Sequence, residues 1–294
     1  MAVDIRSTSG DLDALGGGGT LRMRLRPQFS LVVPVYNEEE RLKESGSELA
    51  AFIAEFALGS ELIIADDGSQ DRTREVAEDL RRQCRPGLVR LCELPHRGKG
   101  ATVRDGLLSA RSAYAGFCDV DLATPLDEVH RLLGAATSGP VLTIASRDVL
   151  TTTLVETEGP VRELLGKAFN RLVRLTVTPG IHDTQCGAKV ASRPVWTQIL
   201  PYSQEAGFAW DVEVIAIARR LGFAVWEVGV SWSHDNRSRV RPLRDGMGMV
   251  RAVPRIWDRV RSVDSLSNRR GVIDLVPRAN GVPVLVPLQA VAEA

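Results

Sequence analysis

The chain has 294 residues, of which 44% are hydrophobic and 25% charged, a composition typical of a soluble globular protein with a sizeable core. Its 37 basic and 37 acidic residues balance, so no overall positive field favours nucleic acid as a partner. The first residues lack the apolar segment of a secretory signal and no apolar run reaches transmembrane length, so we expect neither a leader nor a membrane-spanning helix.

Residues 1–27 are polar and rich in glycine, which predicts a flexible N-terminal tail. Within it, "GGGGTLRMRLRP" faintly resembles the glycine-rich phosphate loop of sugar nucleotidyltransferases. Such a loop needs a strand directly before it, and the preceding "STSGDLDAL" has a poor strand pattern. The sequence therefore disfavours a phosphate loop in this segment.

Strands and helices are predicted to alternate from Phe29 onward, because apolar β-branched runs are separated by amphipathic segments. The predicted strands are "FSLVVPV", "ELIIADD", "GLVRLCEL", "AGFCDVD" and "VLTIASR". Strands that are apolar throughout and alternate with helices indicate an α/β fold, with a largely parallel sheet covered by helices on both faces. Ligands of such sheets bind beyond the carboxyl ends of the strands.

The pattern changes after residue 150. Here the sequence predicts a helix at Val161–Val177, a short strand at "GAKVAS", helices at Pro194–Leu200 and Trp210–Leu221, and a late strand at Phe223–Trp232. We therefore expect a catalytic or binding domain over residues 28–235, a basic amphipathic segment over 236–270 and a C-terminal tail over 271–294.

The basic segment contains a predicted amphipathic helix, Met249–Val260, which Pro254 either kinks or begins. One predicted face is apolar, formed by Val250, Val253, Ile256, Trp257 and Val260. Another carries Arg251, Arg255 and Arg259, spaced four residues apart. Such a helix could lie on a membrane surface with anionic lipids, or it could pack on the domain and leave the arginines in solvent.

Two carboxylates, Asp119 and Asp121, stand one residue apart at the end of the fourth predicted strand. Paired hard oxygens suit Mg²⁺ or Mn²⁺, which take further oxygens from phosphates. A D-x-D pattern alone could equally be a solvated turn. Other predicted strand ends also carry polar groups, and Lys99 lies between two glycines at a helix start, where a cation and backbone N–H groups can meet phosphate.

The sequence resembles family-2 inverting glycosyltransferases of the GT-A fold, a Rossmann-like nucleotide-sugar-binding fold, over roughly residues 29–260. Four motifs carry this resemblance: "VVPVYNEEERL", "IIADDGSQDRT", "RGKGATVRDGL" and "DVDLATP". Three more, "IHDTQCGAKV", "GFAWDVEVIAIARRLGF" and "EVGVSWSHDNRSRV", are similar to the branch that contains dolichyl-phosphate β-glucosyltransferases and dolichyl-phosphate mannose synthases. Seven motifs in order make the resemblance specific.

The resemblance implies roles for individual residues. The nucleotide would be bound by Pro34, Tyr36, Glu38, Asp66, Asp67 and Lys99, and the divalent ion, Mg²⁺ or Mn²⁺, by Asp119 and Asp121. The sugar side of the site would be formed by Asp183 and Gln185. Arg147 would bind the acceptor phosphate, with Arg162 and Lys189 as weaker candidates. If the acceptor were an alcohol, a general base would be needed, and Asp183 or Asp211 would be the candidates.

The implied reaction is transfer of a hexose from a nucleotide sugar to a polyprenyl phosphate. Ala123 stands where the mannose synthases commonly carry glutamine, which favours UDP-glucose over GDP-mannose as donor. A soluble acceptor is the nearest alternative. Sugar-phosphate nucleotidyl transfer and non-catalytic binding of a nucleotide sugar are more distant alternatives for the function. The four cysteines form no C-x-x-C pair, so we expect a reducing, cytoplasmic setting that still allows peripheral membrane contact.

Overall fold

The computed structural model describes residues 27–147, 153–154, 171, 173, 176–232, 242–263, 274–276 and 284–286. The strands are β1 (Phe29–Val35), β2 (Glu61–Asp66), β3 (Val89–Glu93), β4 (Tyr114–Cys118), β5 (Val141–Ser146), β6 (Thr153–Leu154), β7 (Ala188–Ser192), β8 (Ala224–Gly229), β9 (Ser231–Trp232), β10 (Asp274–Val276) and β11 (Val284–Val286). The helices are α1 (Glu39–Ala54), α2 (Thr73–Gln83), α3 (Lys99–Ser109), α4 (Leu126–Ala136), α5 (Arg193–Ile199), α6 (Trp210–Arg220) and α7 (Pro242–Ser262).

Seven of these strands form one sheet in the order β3-β2-β1-β4-β7-β5-β8. Every neighbouring pair in it is parallel except those that include β7, which runs antiparallel to both β4 and β5. The largely parallel α/β sheet predicted from the sequence is thus confirmed. The reversed strand places the segment that precedes β7 at the same edge of the sheet as the carboxyl ends of β4 and β5.

Both faces of the sheet are buried. Successive residues of β1 point to opposite faces: Leu31 and Val33 pack in one apolar cluster, whereas Val32 packs in another. Helices α1 and α4 cover the first face, and α3, α5 and α6 cover the second. Strands with this two-sided burial read as continuous apolar runs, which is why the sequence predicted them well.

Helix α7 is longer than predicted, and its contacts show how it is oriented on the domain. It begins at Pro242 and continues through Pro254, so Pro254 does not begin the regular helix. Val253 and Ile256, on the predicted apolar face, are buried against α6, but Val250 and Trp257 of the same face are 47% and 43% exposed. Arg255 and Arg259, two of the three arginines spaced four residues apart, form ion pairs with acidic residues of the domain. Helix α7 therefore packs on the domain and leaves part of its apolar surface in solvent.

Three further findings concern the C-terminal segment, the cysteines and the helices. In the segment expected to be a C-terminal tail, β10 and β11 pair in antiparallel fashion. The four cysteines are free thiols. None of the helices that the structure describes is both long and apolar enough to cross a membrane.

Candidate active site

The loops that follow β1 and β2 are fastened to each other at the carboxyl edge of the sheet. Asn37 adopts a left-handed φ of 53°, and its side-chain oxygen accepts a hydrogen bond from Gln70 N at 2.7 Å. Its own N–H donates to Ser69 Oγ at 2.8 Å. Glu38 N donates to Thr73 Oγ1 at 2.8 Å, and its carboxylate accepts from Arg41. This part of the predicted nucleotide site is therefore preorganised.

Asp66 and Asp67, both predicted to bind the nucleotide, hold the backbone of neighbouring turns. Asp66 accepts hydrogen bonds from Ser69 N at 3.1 Å and from Arg74 Nε at 2.5 Å. Asp67 accepts from the backbone N–H groups of Arg97 at 2.8 Å and Gly98 at 2.9 Å. The Asp67 carboxylate thus sets the turn that leads into Lys99, while its direct contact with a base stays a prediction.

The aromatic rings of Tyr36 and His96 are stacked next to Asp67. Tyr36 stacks on His96 with ring centroids 4.1 Å apart, and His96 Nδ1 lies 2.9 Å from the Asp67 carboxylate. Pro34, which is partly exposed, lies in β1, and Tyr36 lies in the loop that follows it. His96 was not among the predicted site residues, because nothing in the sequence around it shows that the turn after β3 folds back over β1.

Lys99 and Asp119 form an ion pair at the carboxyl end of β4. Lys99 begins α3, and its Nζ lies 2.7 Å from Asp119 Oδ1. Burial alone would lower the pKa of Lys99, but the carboxylates of Asp119 and Asp211 outweigh it and raise that pKa above its usual value. Lys99 is therefore a fixed cation, suited to stabilise negative charge on a phosphate.

Asp119 and Asp121 lie beyond the end of β4, which stops at Cys118, rather than within it as predicted. Leu122 has a left-handed φ of 51°, and its N–H donates to Asp119 O at 3.2 Å, so a tight turn places both carboxylates. Asp121 Oδ1 accepts from Ala123 N at 3.1 Å. Burial, followed by repulsion from Asp119, raises the pKa of Asp121 above its usual value.

The two carboxylates fit a divalent cation that also binds phosphate oxygens. They repel each other in the free protein, and a bound cation would relieve that repulsion. The Asp119 carboxylate lies against Gly187, where any Cβ would overlap its Oδ2. Within the described ranges no group of three or more His, Cys, Asp or Glu side chains that could hold a metal ion is found. Mg²⁺ bound by one or two carboxylates typically keeps several waters and takes oxygens from substrate phosphates.

Arg147, at the end of β5, forms a second ion pair with Asp183. Asp183 is 1% exposed and accepts hydrogen bonds from Arg147 N at 3.0 Å, Arg147 Nε at 2.7 Å, Arg147 Nη2 at 3.2 Å and Gln185 N at 3.0 Å. Burial alone would raise the pKa of Asp183, but the Arg147 guanidinium and these hydrogen bonds lower it to about 2. Asp183 is thus a poor proton acceptor at neutral pH.

The loop of residues 181–187, which leads into β7, carries Asp183 and Gln185. Gln185 is partly exposed, and Cys186 is buried with its Sγ 3.6 Å from Thr124 Oγ1. The Arg147 guanidinium also lies over the Trp232 ring, with its Cζ 5.3 Å from the ring centroid, a cation–π contact. Trp232 was missed from the sequence because its contact with Arg147 spans 85 positions of chain.

Lys189 and Asp211 form a buried ion pair behind the exposed site. Lys189 is 1% exposed and Asp211 is 3% exposed, and Lys189 Nζ also donates to Cys186 O at 3.1 Å. The predicted roles, acceptor-phosphate ligand for Lys189 and general base for Asp211, both require access to the acceptor. In this structure the pair ties α6 to β7 and to the 181–187 loop, and the two predicted roles stay predictions. Arg162, a third candidate for the acceptor phosphate, lies outside the described residues.

Comparison with protein families and curated relatives gives consistent matches. A family model described as glycosyl transferase family 2 matches residues 30–199. A dolichyl-phosphate beta-glucosyltransferase of Drosophila melanogaster is 33% identical over 79% of this chain and 75% of its own length. The human protein of that name is 31% identical over 73% of this chain and 70% of its own.

Solved structures with the same fold include two synthases. Glucosyl-3-phosphoglycerate synthase from Mycobacterium tuberculosis, crystallised with Mn²⁺, UDP and phosphoglyceric acid, matches with a TM-score of 0.57 and 22% identity over 89% of this chain and 87% of its own. Mannosyl-3-phosphoglycerate synthase from Rubrobacter xylanophilus matches with a TM-score of 0.59 and 21% identity over 90% and 89%. At these identities the likeness establishes the GT-A fold.

Proposed function

The chain belongs to glycosyl transferase family 2, and on that basis we propose that it transfers glucose from UDP-glucose to dolichyl phosphate or a related polyprenyl phosphate, with inversion and with Mg²⁺ or Mn²⁺. The observation that carries this choice of acceptor is the Asp183–Arg147 pair. Asp183 is saturated with hydrogen bonds and ionised, so it serves to hold Arg147 and not to remove a proton. An acceptor that needs no deprotonation fits such a site.

A phosphate monoester is such an acceptor. Its second pKa is about 6, so it is largely a dianion at neutral pH and is already nucleophilic. One of its oxygens forms a bond to the anomeric carbon as the bond from that carbon to the diphosphate breaks, and the electron pair leaves with UDP. Arg147 suits the positioning role, because a guanidinium binds phosphate through parallel hydrogen bonds.

The other half of the site is suited to the leaving diphosphate. Asp119 and Asp121 would hold the divalent ion, which acts as a Lewis acid on the diphosphate when bound. Lys99, already fixed next to Asp119, adds a second positive charge where negative charge develops. Pro34, Tyr36, Glu38, Asp66 and Asp67 would bind or order the base and ribose. A UDP donor is supported by the fold relative crystallised with UDP and Mn²⁺.

A second candidate is the same chemistry on a soluble acceptor. It is favoured by one observation, the structural likeness to a synthase crystallised with phosphoglyceric acid. An alcohol as nucleophile would need a general base, and both predicted bases, Asp183 and Asp211, are held in buried ion pairs. The lipid phosphate is therefore the preferred acceptor.

An assay of nucleoside diphosphate release, UDP or GDP according to the donor, separates these candidates. The protein is incubated with UDP-glucose and Mn²⁺ together with dolichyl phosphate, 3-phosphoglycerate or no acceptor, and the series is repeated with GDP-mannose. We expect UDP-glucose and dolichyl phosphate to give the fastest release. Release that depends on 3-phosphoglycerate would favour the second candidate, and release without any acceptor, or with none of them, would contradict both.

We further propose that α7 places the protein at a membrane surface. Met247, Val250 and Trp257 are 54%, 47% and 43% exposed, and their spacing of three and seven residues puts them on one side of the helix. Arg251 and Arg261 are exposed beside them. Apolar and aromatic side chains next to arginines are typical of helices that lie in the interface of anionic bilayers.

Flotation with vesicles that contain an anionic lipid tests this placement. Replacing Met247 and Trp257 with serine together is expected to weaken vesicle binding by about tenfold, because both side chains lose apolar area that would be buried in the interface. Leu58→Ser is the matched control, since Leu58 is 80% exposed on the far loop between α1 and β2. Equal binding by wild type and double variant would contradict the proposal.

A further inference from the structure

Glu227, on the edge strand β8, is hydrogen-bonded to the 181–187 loop through several donors. Its carboxylate accepts from His182 N at 2.9 Å, from Asp183 N at 2.9 Å and from the His182 ring Nδ1 at 3.0 Å. The side chain of Glu227 is 10% exposed, whereas that of His182 is 46% exposed. One carboxylate thus fixes two consecutive backbone amides of a segment that has no regular secondary structure.

These hydrogen bonds continue to the acceptor side of the site. The loop residue Asp183, whose N–H is bound by Glu227, in turn binds the backbone N–H and the guanidinium of Arg147. Glu227 is paired in register with Ile144 of β5, three residues before Arg147. Strand β8, the loop and the end of β5 are therefore connected through two carboxylates in series.

We propose that Glu227 is a positioning residue for the acceptor phosphate, acting through Asp183 on the orientation of Arg147. This inference rests on the proposed function, because only an anionic acceptor gives Arg147 a ligand to orient. Without Glu227 the backbone N–H groups of His182 and Asp183 lose their acceptor, and the loop can shift. A shift in the Asp183 carboxylate moves Arg147 with it. Among the described residues no hydrogen bond or ion pair joins Glu227 itself to Lys99 or Asp119, and the loop reaches Asp119 at its other end, where Gly187 O accepts a hydrogen bond from Asp119 N at 3.2 Å.

Glu227→Gln is the sharpest variant, because it keeps the size of the side chain while replacing one carboxylate oxygen by an amide NH₂. That NH₂ is a donor and would face backbone donors, so at least one of the hydrogen bonds is lost. The matched control is Glu61→Gln on β2, which lies next to β3, the opposite edge strand of the sheet. Glu61 is also buried and accepts from Ser30 Oγ at 2.9 Å, Arg111 N at 2.8 Å and Arg90 Nε at 3.1 Å.

Three measurements on the full chain decide the question. Hydrogen exchange of the peptide that contains residues 181–186 is expected to accelerate in Glu227→Gln and to stay unchanged in Glu61→Gln. In the dolichyl phosphate assay, the KM for the acceptor is expected to rise by roughly tenfold in Glu227→Gln. The Kd for UDP with Mn²⁺ should remain within about twofold of wild type, which a general loss of structure would not allow.

The possible failures are distinguishable. Unchanged exchange of the loop in Glu227→Gln would overturn the positioning role whatever the activity. An unchanged acceptor KM in an active Glu227→Gln enzyme would overturn it as well, as would an equal rise in KM in Glu61→Gln. Wild-type protein without activity on dolichyl phosphate would instead contradict the proposed function, and the exchange measurement would still show whether Glu227 holds the loop.

Discussion

Replacing Asp121 with asparagine is expected to lower metal-dependent turnover by at least about a hundredfold, because a Lewis-acid metal contributes several kcal/mol to the transition state. Asparagine keeps the size of the side chain, and its oxygen can still accept the hydrogen bond from Ala123 N, so the turn after β4 should persist. The measurements are UDP release over a titration of Mn²⁺ and calorimetric binding of UDP with and without Mn²⁺. The variant should lose the enhancement of UDP binding by the metal.

Two further variants make this prediction specific. Asp127→Asn, at an exposed position in the first turn of α4, is the control and should behave as wild type. Gly187→Ala retains both carboxylates but places a Cβ on Asp119 Oδ2, so the Asp119 carboxylate must move. It should lose metal dependence as Asp121→Asn does. Full metal-stimulated activity in Asp121→Asn would contradict the assignment of the metal site.

Replacing Arg147 with methionine is expected to lower acceptor-dependent turnover by about a hundredfold to a thousandfold. Loss of one fixed hydrogen-bond donor to a transition-state oxyanion has an effect of this size, and we expect a similar effect for the acceptor phosphate. UDP binding in the presence of Mn²⁺ should change by less than about twofold, since the donor side is held by other residues. The assay is UDP release at several concentrations of dolichyl phosphate, with Arg193→Met, an exposed residue at the start of α5, as the control.

Stability complicates this variant, because Arg147→Met leaves Asp183 buried without its guanidinium, a change that typically costs about 3–5 kcal/mol. The double variant Arg147→Met with Asp183→Asn removes both charges and should recover part of the free energy of unfolding, but not the activity. A double variant that recovers activity along with stability would show that Arg147 is structural and would contradict its role as a ligand of the acceptor phosphate.

Much of the fold could be predicted because it depends on local apolar patterns. Strand β1 was predicted from "FSLVVPV" with the bounds that the structure has, Phe29–Val35. The strand that precedes the two carboxylates was predicted to end three residues too late, because "AGFCDVD" includes apolar Val120 beyond Cys118. The left-handed turn at Leu122 ends it, and a leucine gives no signal of that conformation.

The parts that could not be predicted depend on contacts between distant segments. Glu227 binds Asp183 across 44 positions, and Asp183 binds Arg147 across 36. Similarly, Arg255 of α7 pairs with Glu205 at 3.1 Å, and Arg259 pairs with buried Glu213. A helical pattern shows which residues share a face, but not whether that face meets solvent, lipid or another carboxylate.

The most direct test of the proposed activity identifies the product. Purified protein is incubated with UDP-[¹⁴C]glucose, Mn²⁺ and dolichyl phosphate, the reaction is extracted with organic solvent, and the linkage is assigned by nuclear magnetic resonance. We expect label to enter the organic phase only when dolichyl phosphate is present, as a glucosyl phosphate diester of β configuration. Label that stays in the aqueous phase, or a product of α configuration, would contradict inverting transfer of glucose to a lipid phosphate.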